Sequence, residues 1–144
     1  MSAIGGPGEI NLKEYQSFSD IHHSKNKIVT CIQWHPTLKG IVAMSLANNY
    51  SVYERIDNLS KSIISSSLIL IWSFVDPIQP KLLLEAPDSI YSFAFSPTEP
   101  HIIAGGCMNG QVALWDISRW EDRIINPRSD HRDTDLFLVK KFSI

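Results

Sequence analysis

The side chains of this sequence that could do chemistry are its histidines, cysteines and aspartates. Histidine and cysteine are the usual zinc ligands, and zinc sites carry them in HExxH or paired-cysteine patterns. The candidates follow neither pattern: His22, His23, His35, His101 and His131, with Cys31 and Cys107. Two of these histidines also lie beside prolines that suit turns. We therefore predict no metal site.

Catalysis by the remaining groups needs a nucleophile with a base, or two paired carboxylates, held in a pocket. The sequence contains no GxSxG motif. The candidate aspartates are scattered over turns and strand ends: Asp20, Asp88, Asp116 and Asp122. The glycines at 5–8 and 105–106 lack the GxxxxGK[ST] and GxGxxG patterns that bind phosphate. We predict a protein that is not an enzyme and that binds no cofactor.

Composition and charge bound the class of protein. With 44% hydrophobic and 19% charged residues among 144, the chain can bury a core. A net charge of -2 favours neither nucleic acid nor an anionic membrane as a partner. The most apolar stretch, Ile63 to Val75, is shorter than the about 20 residues that span a bilayer. Two isolated cysteines and an N-terminus without a signal-peptide pattern favour a soluble intracellular protein.

An internal repeat organises the chain. The stretch at 28–37 aligns without a gap on the stretch at 89–98, and the match continues to Asn48 and Asn109. Identical pairs along this alignment are Pro36/Pro97, Thr37/Thr98, Ile41/Ile102, Ala43/Ala104 and Asn48/Asn109. In each copy a further apolar run ends in tryptophan, at Trp72 and at Trp115. The first copy carries a polar, serine-rich insertion at 50–67, which predicts a surface loop or, alternatively, a short helix around Glu54 to Leu59.

Each apolar run predicts a short β-strand, because it is rich in Ile, Val, Phe and Trp and is bounded by Pro, Gly or Asn. Asn109-Gly110 predicts a tight hairpin, since both residues tolerate positive φ. The run from Lys81 to Glu85 adds a fourth strand before the second copy begins. Four short strands in a unit of about 40 residues are typical of a propeller blade.

The tryptophans and one glycine pair are the candidates for close packing. Trp34, Trp72 and Trp115 are predicted to lie in the core, where they would bury large apolar areas; a ligand cage is the alternative. Trp120, after the last strand, is predicted to be half exposed. A backbone that must turn or pack closely explains Gly105–Gly106.

The end of the second copy, Gly110-Gln-Val-Ala-Leu-Trp115-Asp116, resembles the end of a WD repeat. The first copy has Trp72-Ser73 in the same place, and neither copy has Gly-His before its first strand. Such divergent repeats resemble those of the dynein intermediate chains. The stretches that carry this resemblance, with the lead-in before them, are 15–20, 24–27, 31–36, 43–45, 70–72 and 105–116.

The resemblance covers roughly residues 12 to 120. It implies an all-β fold, a partial WD-repeat β-propeller of about two four-stranded antiparallel blades. The implied division is a flexible N-terminal lead-in at 1–24, a first blade at 25–88, a second blade at 89–120 and a charged tail at 121–144. The positions that would serve as structural WD-repeat residues are Trp34, Pro36, Trp72, Pro97, Asn109, Gly110, Trp115 and Asp116.

By the same resemblance, the protein is expected to be a non-catalytic scaffold subunit of an axonemal dynein motor, of the inner-arm type. Its expected partners are dynein heavy chains, light chains and other intermediate chains, and its expected role is in cilium or flagellum movement. The expected location is the cytoplasm, the cytoskeleton and the axoneme of cilia or flagella. The alternative is a WD-repeat adaptor in another complex, such as a ubiquitin ligase or a trafficking coat.

Two blades pose a physical problem. A closed ring of about four to eight blades covers the faces of every blade, whereas two blades would leave two apolar sheet faces uncovered. We therefore expect a fragment or short isoform that alone is marginally stable, oligomeric or poorly soluble. The charged stretch at 121–135 is expected to be solvated and mobile, with Phe137 to Val139 and Phe142 forming a last strand or docking on a partner.

Overall fold

The computed structural model describes residues 12–48, 67–125, 138–139 and 142–143. The predicted insertion therefore lies outside the described residues except for Ser67, as does the tail at 126–137. The described residues contain nine strands: β1 Lys27–Trp34, β2 Ile41–Asn48, β3 Ser67–Ser73, β4 Leu82–Ala86, β5 Ile90–Phe95, β6 Ile102–Cys107, β7 Val112–Asp116, β8 Leu138–Val139 and β9 Phe142–Ser143. A helical turn, α1 (Ile21–Ser24), precedes them, and a 3₁₀ turn at Ser118–Trp120 leads into helix α2 (Glu121–Ile125).

The strands form two sheets in chain order. The first sheet has the order β1-β2-β3-β4-β8, and the second has the order β5-β6-β7-β9. Neighbouring strands are antiparallel, except that β8 lies parallel to β4. The predicted all-β fold of two blade-like antiparallel sheets is confirmed. The tail contributes two short strands where the sequence predicted a last strand or a docking segment: β9 is the fourth strand of the second sheet, and β8 extends the first.

The sequence repeat is also a repeat of backbone geometry. The first strand of each sheet has a register shift at the same place, between Val29 and Cys31 in β1 and between Ile90 and Ser92 in β5. The turn after it is closed in both copies by the same backbone hydrogen bond. His35 N donates to Ile41 O at 2.8 Å, and Ser96 N donates to Ile102 O at 2.9 Å. The turn prolines and the alternating apolar residues therefore build the same local structure twice.

The two sheets pack face to face, and strand alternation decides which side chains meet. We call the side of each sheet that carries its third-strand tryptophan, Trp72 or Trp115, the Trp face, and the other side the receiving face. The receiving face of the first sheet packs on the Trp face of the second. This shared core includes Ile41, Ala43, Ile69, Ile71, Leu82 and Leu84 from the first sheet, and Phe93, Ile103, Ala113 and Trp115 from the second. Burying each large aliphatic side chain contributes about 1.5–3 kcal/mol, so this core is the main source of stability.

The Trp face of the first sheet is covered in part by segments of the same chain. Val29, Ile32 and Trp34 of β1 lie on this face by strand register and are 50%, 59% and 61% exposed. The buried side chains of this face are Val42, Leu46, Leu68, Leu70, Trp72 and Leu83. Phe18 from the lead-in and Phe74 from the β3–β4 connection pack against them. Apolar surface gains free energy by leaving water, and aromatic side chains within reach of this face provide part of the cover.

The start of the tail is also more ordered than expected. Helix α2 places Ile124 in the core between the sheets, where it is 1% exposed. The prediction of a solvated, mobile segment is therefore wrong for Glu121–Ile125, because this helix buries Ile124 in the core. In the described ranges, no helix is long and apolar enough to cross a membrane.

Candidate functional site

The contact between the two sheets is organised around Trp115. Its side chain is fully buried, and its indole Nε1 donates a hydrogen bond to the carbonyl of Glu85 in β4 at 2.8 Å. Gly105 lies beneath the ring, since a Cβ atom there would come within 3.0 Å of a ring carbon. The second glycine of the pair, Gly106, has open space around it. Close packing against Trp115 thus explains why residue 105 is a glycine. No contact in the structure explains the glycine at position 106.

A second link joins the sheets at their first strands. Thr30 Oγ1 donates to the carbonyl of Ile90 at 2.6 Å and lies 2.7 Å from Ser45 Oγ. Ser45 is fully buried, and the register shift of β1 at this point aims the Thr30 side chain towards β5. This link was not predicted from the sequence. The feature of the sequence that could have indicated it is a pair of polar residues in neighbouring apolar strands, Thr30 in β1 and Ser45 in β2.

The turns that follow the first strands are held by side-chain acceptors. His35 is 8% exposed, and its Nδ1 accepts from the backbone N–H of Thr37 at 3.2 Å and of Leu38 at 2.9 Å. Burial lowers the pKa of His35 from its ordinary value of 6.5, and the charge of Glu121 acts in the opposite direction. An Nδ1 that accepts two hydrogen bonds must be unprotonated, so the geometry and the pKa shift agree. His35 therefore has a structural task in the turn.

The remaining predicted repeat positions lie in turns or, for Asp116, at the end of β7. Pro36 and Pro97 are exposed in the β1–β2 and β5–β6 connections. Gly110 has a φ of 86°, in the left-handed region that favours glycine, and Asn109 Oδ1 accepts from Gln111 N at 3.0 Å. Asp116 Oδ1 accepts from Ser118 N at 2.9 Å. This backbone hydrogen bond is the main reason that the pKa of the Asp116 carboxyl lies below its ordinary value.

Trp34 differs from the other two strand tryptophans. Trp72 and Trp115 are 1% and 0% exposed, whereas Trp34 is 61% exposed. Its ring stacks on Phe74 with the centroids 5.4 Å apart and the planes at 17°. The prediction of core packing is wrong for Trp34, because it ends β1, an edge strand with a partner on one side only within the described chain. Trp120 is half-buried against the core, as predicted.

An apolar surface lies along the first strands of the two sheets. We call it the inner-edge strip and define it by Ile28, Val29, Ile32 and Trp34 of β1 with Tyr91 of β5. Each of these side chains is between 47% and 61% exposed. Val29, Ile32 and Trp34 share one face of β1, whereas Ile28 lies on the other face of that strand. Exposed apolar side chains grouped on an edge strand are a feature that protein-association sites share.

Two ion pairs in the described chain hold a connection and a helical turn in place. Lys81 Nζ binds Asp76 Oδ2 at 2.8 Å, and both side chains are buried in the β3–β4 connection. Asp20 contacts His23 Nδ1 at 2.5 Å beside α1. Within residues 12–48 and 67–125, no three His, Cys, Asp or Glu side chains form a group that could hold a metal ion.

Known proteins with similar sequences are dynein intermediate chains. Residues 10–141 match the family model described as the Dynein axonemal intermediate chain 3 WD40 domain. The chain is 46% identical over 98% of its length to a mouse protein named Dynein axonemal intermediate chain 3, and 50% identical over 85% of its length to the human protein of that name. Human Cytoplasmic dynein 2 intermediate chain 2 is 34% identical over 67% of the chain.

The chain spans only 15%, 14% and 17% of these three relatives. Among solved structures, a chain of the COPII outer coat vertex on membranes superposes with a TM-score of 0.51 at 18% identity, covering 67% of this chain and 23% of that one. Such low identity bears on the fold alone. The family match and the sequence identities decide the assignment: the chain belongs to the dynein axonemal intermediate chain 3 family and carries part of its WD40 domain.

Proposed function

We propose that this chain acts as a non-catalytic scaffold segment of an axonemal dynein complex. Its partners in this proposal are dynein heavy chains, light chains and other intermediate chains, and its place is the axoneme of a cilium or flagellum. Family membership supports the proposal, since the matched relatives are named as dynein intermediate chains. Because the chain spans a small part of those relatives, the proposed role is limited to partner contacts made by the two sheets described above.

The observation that carries the proposal is the inner-edge strip. A protein in water gains nothing from exposing Ile32 at 59% and Trp34 at 61%. Covering large apolar and aromatic side chains is the main source of affinity in protein interfaces, with tryptophan and tyrosine over-represented among the dominant contacts. The ion pairs and the exposed apolar side chains described above favour a protein that binds another protein over an enzyme that transforms a substrate. No observation favours the adaptor hypothesis, since the coat protein shares only the fold.

The test is capture of the tagged chain from ciliated cells at endogenous level, followed by mass spectrometry. We expect dynein heavy and light chains with the unaltered chain. The variant Ile32→Ser should recover them at about one-tenth of that level or less, the loss expected when a dominant contact is truncated. The control is Ile78→Ser, which removes an 82% exposed side chain from the β3–β4 connection and should change nothing.

Three results would count against the proposal. Recovery of an unrelated complex would favour the adaptor hypothesis. Recovery of chaperones alone would mean that the chain does not assemble. Equal recovery by Ile32→Ser and the unaltered chain would remove the inner-edge strip as the binding surface. Circular dichroism of both variants should match the unaltered chain, which separates lost binding from lost folding.

A further inference from the structure

The two copies of the repeat make the same turn where their third strands end. In the first copy, Ser73 Oγ accepts a hydrogen bond from Val75 N at 3.2 Å. In the second copy, Asp116 Oδ1 accepts a hydrogen bond from Ser118 N at 2.9 Å. The residue in the middle of each turn also donates its backbone N–H to the turn after the first strand, at 2.9 Å in both copies. Ser118 therefore holds the position that Val75 holds in the first copy.

The hydroxyl of Ser118 is accessible, and the turn does not require it. Ser118 is exposed, and the first copy makes the same turn with a valine. Val75 is 74% exposed even though the second sheet packs on the first. A following sheet therefore leaves this position open, and exposure is a property of the turn itself. A hydroxyl that is accessible and not needed for folding is available for chemical modification.

Acidic side chains follow Ser118 at a short spacing. Glu121 and Asp122 begin helix α2, three and four residues after Ser118, and both are exposed. Arg119 is the basic residue between them and the serine. A protein kinase with a basic groove for its substrate binds a serine followed by such carboxylates, because the charges of the two surfaces are complementary.

The carboxyl of Asp116 makes the turn sensitive to an added negative charge. It accepts from the backbone N–H and from the hydroxyl of Ser118, and these two hydrogen bonds are the main reasons that its pKa lies below the ordinary value. A phosphate on Ser118 replaces the donor hydroxyl with a dianion beside this carboxylate, and like charges repel. Arg119 and His101 also act on the carboxyl. One permanent cation offsets only part of the repulsion between a carboxylate and a phosphate.

The turn carries a segment that closes the core between the two sheets. Directly after Ser118, a 3₁₀ turn is held by Trp120 N, which donates to Ile117 O at 3.0 Å, and helix α2 follows it. Ile117 and Ile124 are 2% and 1% exposed and belong to the shared core. The residues 117–125 therefore connect the charge-sensitive turn to the contact between the sheets.

We propose that Ser118 is a phosphorylation site and that its phosphorylation releases the segment 117–125 from the core between the sheets. In the transfer, Ser118 Oγ attacks the γ-phosphorus of ATP and forms a new P–O bond. The bond from that phosphorus to the β,γ-bridging oxygen breaks, ADP leaves, and the hydroxyl proton passes to the carboxylate base of the kinase. The modification loosens the contact between the two sheets, whichever partner the chain binds.

The first experiment treats the purified full chain with ATP and a serine kinase that prefers acidic substrates, and locates the phosphate by mass spectrometry. We expect phosphate on Ser118. The double variant Glu121→Gln/Asp122→Asn should incorporate it more slowly by about tenfold or more, because the carboxylates that guide the kinase are gone. An undiminished rate in the double variant would overturn the assignment. So would labelling confined to other serines, such as Ser96, whose hydroxyl accepts from Glu99 N within a turn.

A chain synthesised with phosphoserine at position 118 tests the release without a kinase. Its amides at 117–125 should exchange hydrogen faster than those of the unmodified chain by about tenfold or more. The control Ser118→Val copies Val75 of the first copy and should exchange like the unmodified chain. Adding Asp116→Asn to the phosphorylated chain should slow exchange again, because it removes the repelling carboxylate. Unchanged exchange in the phosphorylated chain would overturn the release, and equally fast exchange in Ser118→Val would show that the lost hydroxyl, not the added charge, opens the turn.

Discussion

The two buried tryptophans offer a matched test of how the sheets are held. Trp115 and Trp72 occupy the same position in the two copies and are 0% and 1% exposed. They differ in one respect: Trp115 Nε1 donates to Glu85 O at 2.8 Å, and Trp72 Nε1 has no partner in the described chain. Replacing each with phenylalanine removes similar ring volume. The difference between the two variants therefore isolates the hydrogen bond.

The expected magnitudes follow from this difference. Trp115→Phe leaves a backbone carbonyl without its donor, which costs about 1–3 kcal/mol besides the lost packing. Trp72→Phe removes a buried donor that was unsatisfied, which offsets part of the same packing loss. We expect Trp115→Phe to be less stable than Trp72→Phe by about 2 kcal/mol. That is a large fraction of the about 5–15 kcal/mol by which native proteins are stable.

Urea unfolding followed by far-ultraviolet circular dichroism measures this difference, since fluorescence would change with the tryptophans themselves. The protein concentration should lie below the onset of self-association, and equal slopes of free energy against urea would show comparable unfolding. Trp34→Phe, at a 61% exposed position, should have little effect. Equal losses for the two buried variants, or a larger loss for Trp72→Phe, would refute the argument.

Three further predictions concern single contacts. Gly105→Ala should destabilise the chain by more than about 1 kcal/mol, because its Cβ would crowd the Trp115 ring, whereas Gly106→Ala should be neutral or slightly stabilising; thermal unfolding distinguishes them. The contribution of His35 to the free energy of unfolding should be fully present above pH 6.5 and be lost as the pH falls through its lowered pKa, because a protonated Nδ1 cannot accept the two N–H groups. The variant His35→Asn should flatten this pH profile, which urea midpoints measure. Thr30→Val should cost about 1–3 kcal/mol, because the Ile90 carbonyl and the buried Ser45 hydroxyl lose their partner; an undiminished urea midpoint would contradict this.

Much of the fold follows from local sequence signals. Strands β1 to β7 lie where short apolar runs alternate with turn residues, because the period of two and the breakers Pro, Gly and Asn are local properties. The repeat at Pro36/Pro97 and Ile41/Ile102 predicts two similar units, and the structure repeats even their turn hydrogen bonds. The resemblance to dynein intermediate chains rests on the same residues, so the family was also within reach of the sequence.

The sequence could not predict which parts of the sheet faces are covered by other segments of the chain. Trp34 and Trp72 both end apolar strands, yet one is exposed and the other buried. The difference depends on which strand is at an edge and on which distant segment packs over a face. Phe18 reaches Trp72 from the lead-in, and Phe142 lies in a strand paired with β7. Such contacts join residues far apart in the chain, where local patterns carry no information.

The sequence by itself determined the strands, their turns, their two-fold repetition and the family, since each depends on residue type and short-range spacing. Only the tertiary structure decided how those repeated units differ. It gave Trp115 an acceptor and left Trp72 without one, buried Ile124 of a charged tail, and joined Thr30 to Ile90 across the two sheets. The physical reason is that burial and hydrogen bonding depend on which groups are neighbours in space. The two copies of the repeat have similar sequences but are surrounded by different segments of the chain.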